Sequence, residues 1–240
     1  MINTINNYDE IKIIPKSLII FDIDETILIL PKIDYGWWHK QFDYYVTIYN
    51  DNTKATDMTI LDWHILTSHI CPLMLDYIKF VNILYEAKKF DCEIILLTSR
   101  SPILSSITEH HLNSVGLNMF KNKIYYACNK GDKIFEIVKS SSYENIIFID
   151  DNINNLQQAK ISFWMIKNPK LHLYQMKHKN NPGDLFIDLE DLTSPKITDI
   201  QKMTEIIPKN LILKQVTSFN INSYSITSNL IQLYDNKIKT

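Results

Sequence analysis

Cysteine, glycine, long apolar runs and a surplus of either charge are all scarce in this chain of 240 residues, whose net charge is only −2. So small a net charge removes any global electrostatic case for nucleic acid or an acidic membrane surface as a partner. The first apolar run is cut by Asp22 and Asp24, and residues 1–15 lack the basic segment and apolar core of a signal peptide. Neither a leader nor a membrane span is therefore expected. A cytoplasmic protein is the default, although a host-delivered or viral one would read the same way. Cys71, Cys92 and Cys128 are odd in number and widely separated, with neither metal-type spacing nor a disulfide framework. They fit a reducing compartment and read as small apolar residues. The four glycines accompany abundant Asn, Ile and Lys, a bias that points to an AT-rich coding sequence and carries nothing functional. No internal repeat is present.

The remaining composition, 45% hydrophobic and 22% charged, is ordinary for a globular protein. The length allows one substantial α/β domain with an insertion or appendage. Strand-like apolar runs at 17–22, 92–97, 124–127 and 145–149, with a further candidate at 163–166, alternate with helical patterns at 72–89, 101–116, 132–138 and 152–159. Pro72 is read as opening the first of these helices, and Gly116 as closing the second. This alternation predicts a Rossmann-like, doubly wound parallel sheet with helices on both faces. Residues 1–16 read as irregular, 28–71 as an aromatic-rich and partly helical stretch, and 180–240 as mixed, with a possible helix at 199–207.

The most informative segment is Leu18-Ile19-Ile20-Phe21-Asp22-Ile23-Asp24-Glu25-Thr26. A strand apolar on both faces ends in a pair of carboxylates spaced two apart. Unpaired buried carboxylates are costly unless a cation or several hydrogen-bond donors compensate them. The carboxyl ends of parallel strands are also where open α/β sheets keep their sites. A divalent metal and phosphoryl transfer are the expectation. Two later strands end in similar fashion, in Thr98-Ser99-Arg100 and in Asp150-Asp151, with Lys130 lying between them.

In that order, Asp22-x-Asp24-x-Thr26, Thr98, Lys130 and Asp150-Asp151 with Asn155 resemble the motifs of the haloacid dehalogenase (HAD) superfamily, over roughly residues 17–170. The phrases FDIDET, LLTSR, KGDK and FIDDNINNL are similar to a mostly bacterial, phosphatase-like subgroup. The resemblance implies a HAD-like core at 1–29 and 72–180, a small mainly helical cap at 30–71, and a C-terminal extension at 181–240. It implies Asp22 as nucleophile and Asp24 as general acid and base. Mg²⁺ would be held by Asp22, the Asp24 carbonyl and Asp150, with Asp151 either a ligand or a support to the ligands. Thr26 would tighten the turn, Thr98 would bind a phosphoryl oxygen, and Lys130 would balance charge. Lys133 is the alternative to Lys130, which is preferred because Gly131 would let the backbone turn sharply.

A small phosphorylated metabolite or nucleotide is the expected substrate. Dehalogenation is disfavoured because Asp24 is present, and a receiver domain because the Asp-Asp pair comes last. A catalytically idle binding or scaffolding protein is the alternative function. Arg100 reads equally as a grip on substrate or as a structural ion-pair partner. Trp37, Trp38 and His39 fall where a cap would lie, with packing favoured over substrate stacking. His110 and His111 read as surface or capping residues.

Overall fold

Every residue of the apolar tetrapeptide Leu18–Phe21 is buried, because the strand it forms lies inside a parallel sheet covered on both faces. The computed structural model describes residues 1–30, 33, 35–68, 70–166 and 168–177. Its strands are β1 (Ile2–Ile5), β2 (Leu18–Phe21), β3 (Leu28–Ile29), β4 (Leu73–Met74), β5 (Glu93–Thr98), β6 (Ile124–Tyr126), β7 (Asn145–Asp150) and β8 (Lys170–Met176). Its helices are α1 (Tyr35–Tyr49), α2 (Asn52–Thr67), α3 (Tyr77–Lys89), α4 (Ser105–Ser114), α5 (Lys130–Val138) and α6 (Ile153–Ser162). Six strands make the main sheet in the order β1-β8-β7-β2-β5-β6, all pairs parallel. Among the described residues no helix is long and apolar enough to cross a membrane.

Alternation along β2 divides the core. Ile19 and Phe21 face α3 and the end of α4, where Phe80, Val81, Leu84, Leu112 and Leu117 pack. Leu18 and Ile20 face α5 and α6, meeting Ile134, Val138, Leu156 and Ala159. The sheet is thus doubly wound, as its strand–helix alternation implies. A third cluster joins Trp63 and Leu66 of α2 to Leu104 and Ile107 at the start of α4, with Trp37 and Trp38 packed against it. The helix pair α1 and α2 lies between β3 and β4, which pair antiparallel at its base.

Several expectations fail for identifiable reasons. Residues 1–16 are not irregular: Ile2–Ile5 pairs with β8 as an edge strand, and Tyr8 is buried with its ring edge-on to Phe21 and Phe80. Pro72 does not open a helix. It precedes β4, and α3 starts at Tyr77 after Asp76, which caps it from φ 45°. The apolar residues of 163–166 form a turn, while the sheet takes the more polar Lys170–Met176 as β8, a strand buried only in part. Cys71 and Cys128 are exposed and only Cys92 is partly buried, so two of the three do not pack as apolar residues. The expectations for 180–240 fall outside the described residues.

Gly131 also has a different role from the one its position suggests. It sits within α5, where a Cβ would lie 2.7 Å from Ala159 N and closer still to the Gln158 carbonyl of α6. Its purpose is the close approach of the helices, not a turn. Gly131→Ala is expected to destabilise the protein by about 2 kcal/mol or more through overpacking. Urea denaturation measures this; an unchanged midpoint would show that the helices part without cost.

Candidate active site

The register of the sheet assembles the site. Phe21 stands opposite Leu96 of β5 and Ile149 of β7, so the next step along β2 and β7 brings Asp22 beside Asp150. Asp22 N donates to Ile149 O at 2.9 Å, extending the pairing just to the point where chemistry-bearing side chains begin. Thr98 closes β5 on the other side. Beyond Asp22 the chain turns tightly. Ile27 N and Leu28 N both donate to Ile23 O, and Glu25 takes φ 56°, a left-handed conformation costly for a non-glycine residue.

Thr26 ties this turn to its surroundings. Its Oγ1 lies 3.3 Å from Asp22 Oδ2 and accepts from Asp151 N at 3.0 Å, while Tyr8 OH donates to its carbonyl oxygen. The N-terminal segment thus clamps the loop from behind, a contribution with no signal in the sequence.

Lys130, the first residue of α5, is buried between strand ends. Its Nζ donates to Asp22 Oδ1 and to Asp150 Oδ2, the latter at 2.7 Å. Burial disfavours its charge, but the two carboxylates outweigh that and raise its pKa, so it stays an ammonium. Lys133 points elsewhere and pairs with Glu136 at 2.9 Å. Asp150 is further held by Asn155 Nδ2 at 3.0 and 3.1 Å and by Asn152 N at 2.9 Å, both from the start of α6.

Carboxylate oxygens of Asp22, Asp150 and Asp151 all lie within 4.8 Å of one another. Burial, only partly offset by Lys130, together with Asp150 and Asp24 pushes Asp22 up to about 7. Burial, then the charges of Asp22 and Asp150, pushes Asp151 up to about 9. One ammonium cannot neutralise three crowded carboxylates. An all-oxygen cluster with surplus negative charge fits a hard divalent cation.

Asp24 faces away from that cluster. Its carboxylate accepts from Arg100 Nε at 2.7 Å and Nη2 at 2.6 Å. Partial burial pushes its pKa up, but the Arg100 charge and hydrogen bonds, with His111 and Lys130, hold it below the ordinary value. Arg100 N donates to Thr98 Oγ1 at 3.1 Å, which fixes the threonine hydroxyl at the strand end. His111 corrects its sequence reading: it is fully buried, with Nδ1 3.3 Å from Arg100 Nη1 and Nε2 2.9 Å from Thr67 O. Burial, then the guanidinium, lowers its pKa to about 4 and keeps it neutral. Only the packing of α2 on α4 puts that ring inside.

Residues 1–127 match the model of a family described as a protein of unknown function (DUF2608). No curated protein matches the chain significantly. Among solved structures, the chain is similar to a HAD-superfamily hydrolase from Ehrlichia chaffeensis at 13% identity and TM-score 0.41, over 63% of this chain and 86% of that one. The HAD domain of effector protein Lem4 from Legionella pneumophila, an inactive mutant, shares 11% identity at TM-score 0.38, over 78% and 98%. The class C acid phosphatase from Bacillus anthracis shares 16% identity at TM-score 0.37, over 87% and 80%. Likeness at this level carries no argument about chemistry.

The acidic cluster makes the metal-free protein sensitive to pH. Asp22 and Asp151 hold their protons more tightly folded than unfolded, so their contribution to stability is fully present below the ordinary carboxylate value of 3.8 and is lost progressively from there up to about 7 for Asp22 and about 9 for Asp151. In EDTA the Tm should fall over that window. Added Mg²⁺ should raise Tm by several degrees at the alkaline end and by little in acid, which differential scanning calorimetry will read. An equal shift at both ends would count against a cation in this cluster.

Proposed function

The chain belongs to the DUF2608 family of proteins of unknown function, and for it we propose a HAD-type, Mg²⁺-dependent phosphohydrolase acting on small phosphate monoesters through an aspartyl-phosphate. The observation that carries this reading is Lys130 held between Asp22 and Asp150 at the carboxyl ends of adjacent strands, with Asp151 beside them. A nucleophile, a charge-balancing ammonium and a cation site are the parts phosphoryl transfer needs.

Asp22 attacks phosphorus with one carboxylate oxygen as the bond to the alcohol oxygen breaks. Asp24, which must first leave Arg100 and take a proton from solvent, gives that oxygen the proton. Water then attacks the aspartyl-phosphate and loses a proton to Asp24, releasing inorganic phosphate and restoring Asp22. Magnesium, held by Asp22, Asp150 and the Asp24 carbonyl, with Asp151 as ligand or support, would reduce repulsion between Asp22 and the phosphate. Lys130 offsets part of the burial that pushes Asp22 up to about 7, favouring the ionised form that acts as the nucleophile. Thr98 Oγ1 already accepts from Arg100 N, so its own O–H is left to donate to a phosphoryl oxygen. The helix pair α1 and α2 serves as a cap, which favours small substrates over phosphoproteins. A cytoplasmic location fits the reducing-type cysteine usage.

Hydrolysis of p-nitrophenyl phosphate tests the reading. The wild-type protein should release nitrophenol with Mg²⁺ and not in EDTA, and Asp22→Asn should fall to background. Asp24→Asn should slow turnover by about a hundredfold. Wild-type protein no better than Asp22→Asn across a broad phosphate panel would refute the reading. Near-normal turnover by Asp24→Asn would remove Asp24 from its role.

A further inference from the structure

Arg100 is a buried cation whose one charged partner among the described residues, Asp24, is far more exposed than itself. Its side chain is 3% exposed, whereas that of Asp24 is 38% exposed. The rest of the guanidinium is fixed by uncharged groups. Nη1 donates to Thr108 Oγ1 at 3.1 Å and lies 3.3 Å from His111 Nδ1, both on α4. The Trp63 ring of α2 covers it, with the guanidinium carbon 4.8 Å from the ring centroid. His111 is held in turn by the Thr67 carbonyl at the end of α2. Arg100 is therefore anchored from both the core and the helical insertion, while Asp24 sits over it on the solvent side.

This arrangement constrains any reaction that uses Asp24. Arg100 occupies both carboxylate oxygens, so Asp24 reaches a leaving alcohol only by turning off the guanidinium. Arg100 would then be a buried charge among neutral neighbours, a strongly unfavourable state. Asp22 and Asp150 are bound to Lys130, and Asp151 is grouped with them in the acidic cluster, so none of the three is placed to substitute. Among the described residues no second carboxylate pairs with Arg100, so we take the replacement anion to arrive with the substrate.

We propose that the substrate is a phosphate monoester carrying a carboxylate on its alcohol portion, and that this carboxylate takes the place of Asp24 on Arg100. The inference rests on the phosphohydrolase reading above. A carboxylate is the group whose planar, two-oxygen geometry already matches Nε and Nη2 in the fork that Asp24 fills. Arg100 is then a specificity-determining residue, and Trp63, Thr67, Thr108 and His111 are positioning residues that hold it.

Titration calorimetry on Asp22→Asn protein with Mg²⁺ tests this, using phosphoglycolate against ethyl phosphate and phosphoserine against phosphoethanolamine. In at least one pair the carboxylate-bearing member should bind tighter, by on the order of a hundredfold, as expected when a buried cation gains or lacks its partner. Adding Arg100→Gln should abolish the preference. Adding Asp24→Asn should increase it, because the competing carboxylate is gone; this variant guards against misfolding of the Arg100 variant. Equal binding within both pairs, or a preference that Asp24→Asn weakens, would overturn the inference even if wild-type protein hydrolyses every compound. A carboxylate preference that needs Arg100, in a wild-type protein that hydrolyses none of them, would leave the anion site standing and overturn the phosphohydrolase reading alone.

Discussion

The ammonium of Lys130, inserted between Asp22 and Asp150, is the contact on which the rest of this structure depends. It lies where β2 and β7 run out of partners and helix α5 begins, so it fastens a helix to the edge of the sheet at the point of greatest negative charge. Removing one member of such a buried group typically costs about 3–5 kcal/mol, because the others are left uncompensated. The same contact sets the electrostatics of the site: it holds Asp22 close to neutrality in its titration but does not satisfy Asp151. The surplus of carboxylate over ammonium is a physical reason for a cation.

A second buried cation, Arg100, organises the other side of the strand ends. Through its own N–H donated to the Thr98 hydroxyl, and through Thr108 and His111, it connects β5 to α4, and through Trp63 and the Thr67 carbonyl that holds His111 it reaches the helical insertion. Asp24 therefore belongs to a different charge group from Asp22, although only one residue separates them. Strand alternation alone would put both on one side, since neighbours two apart along an extended chain share it, but the strand ends at Phe21 and the chain turns tightly from Ile23 through the left-handed Glu25.

Much of the sheet was legible in the sequence, because buried parallel strands are continuous apolar runs and β2, β5 and β7 have that form. The strands at the sheet's edge beyond β7 were not legible. Ile2–Ile5 and Lys170–Met176 are interrupted by exposed or half-buried polar residues on both faces, and the more apolar 163–166 competes for the second assignment. Helix starts were displaced where a side chain decided the matter, as when Asp76 rather than Pro72 opens α3. Gly131 was noticed for the wrong reason, since a close approach between helices depends on a partner far along the chain.

The sequence by itself determined which residues stand at the carboxyl ends of the central strands, because hydrophobic pattern places strands and chemistry-bearing residues end them. It determined the candidate roles of Asp22, Asp24, Thr98, Lys130 and Asp150 through motif order. The tertiary structure alone decided how those charges are partitioned: Lys130 with Asp22 and Asp150, Arg100 with Asp24, and His111 turned inward as a neutral prop. Charge pairing depends on distances between segments remote in sequence, such as Asp24 and Arg100, 76 positions apart, and Asp22 and Lys130, 108 positions apart. No local pattern encodes those distances, since packing sets them.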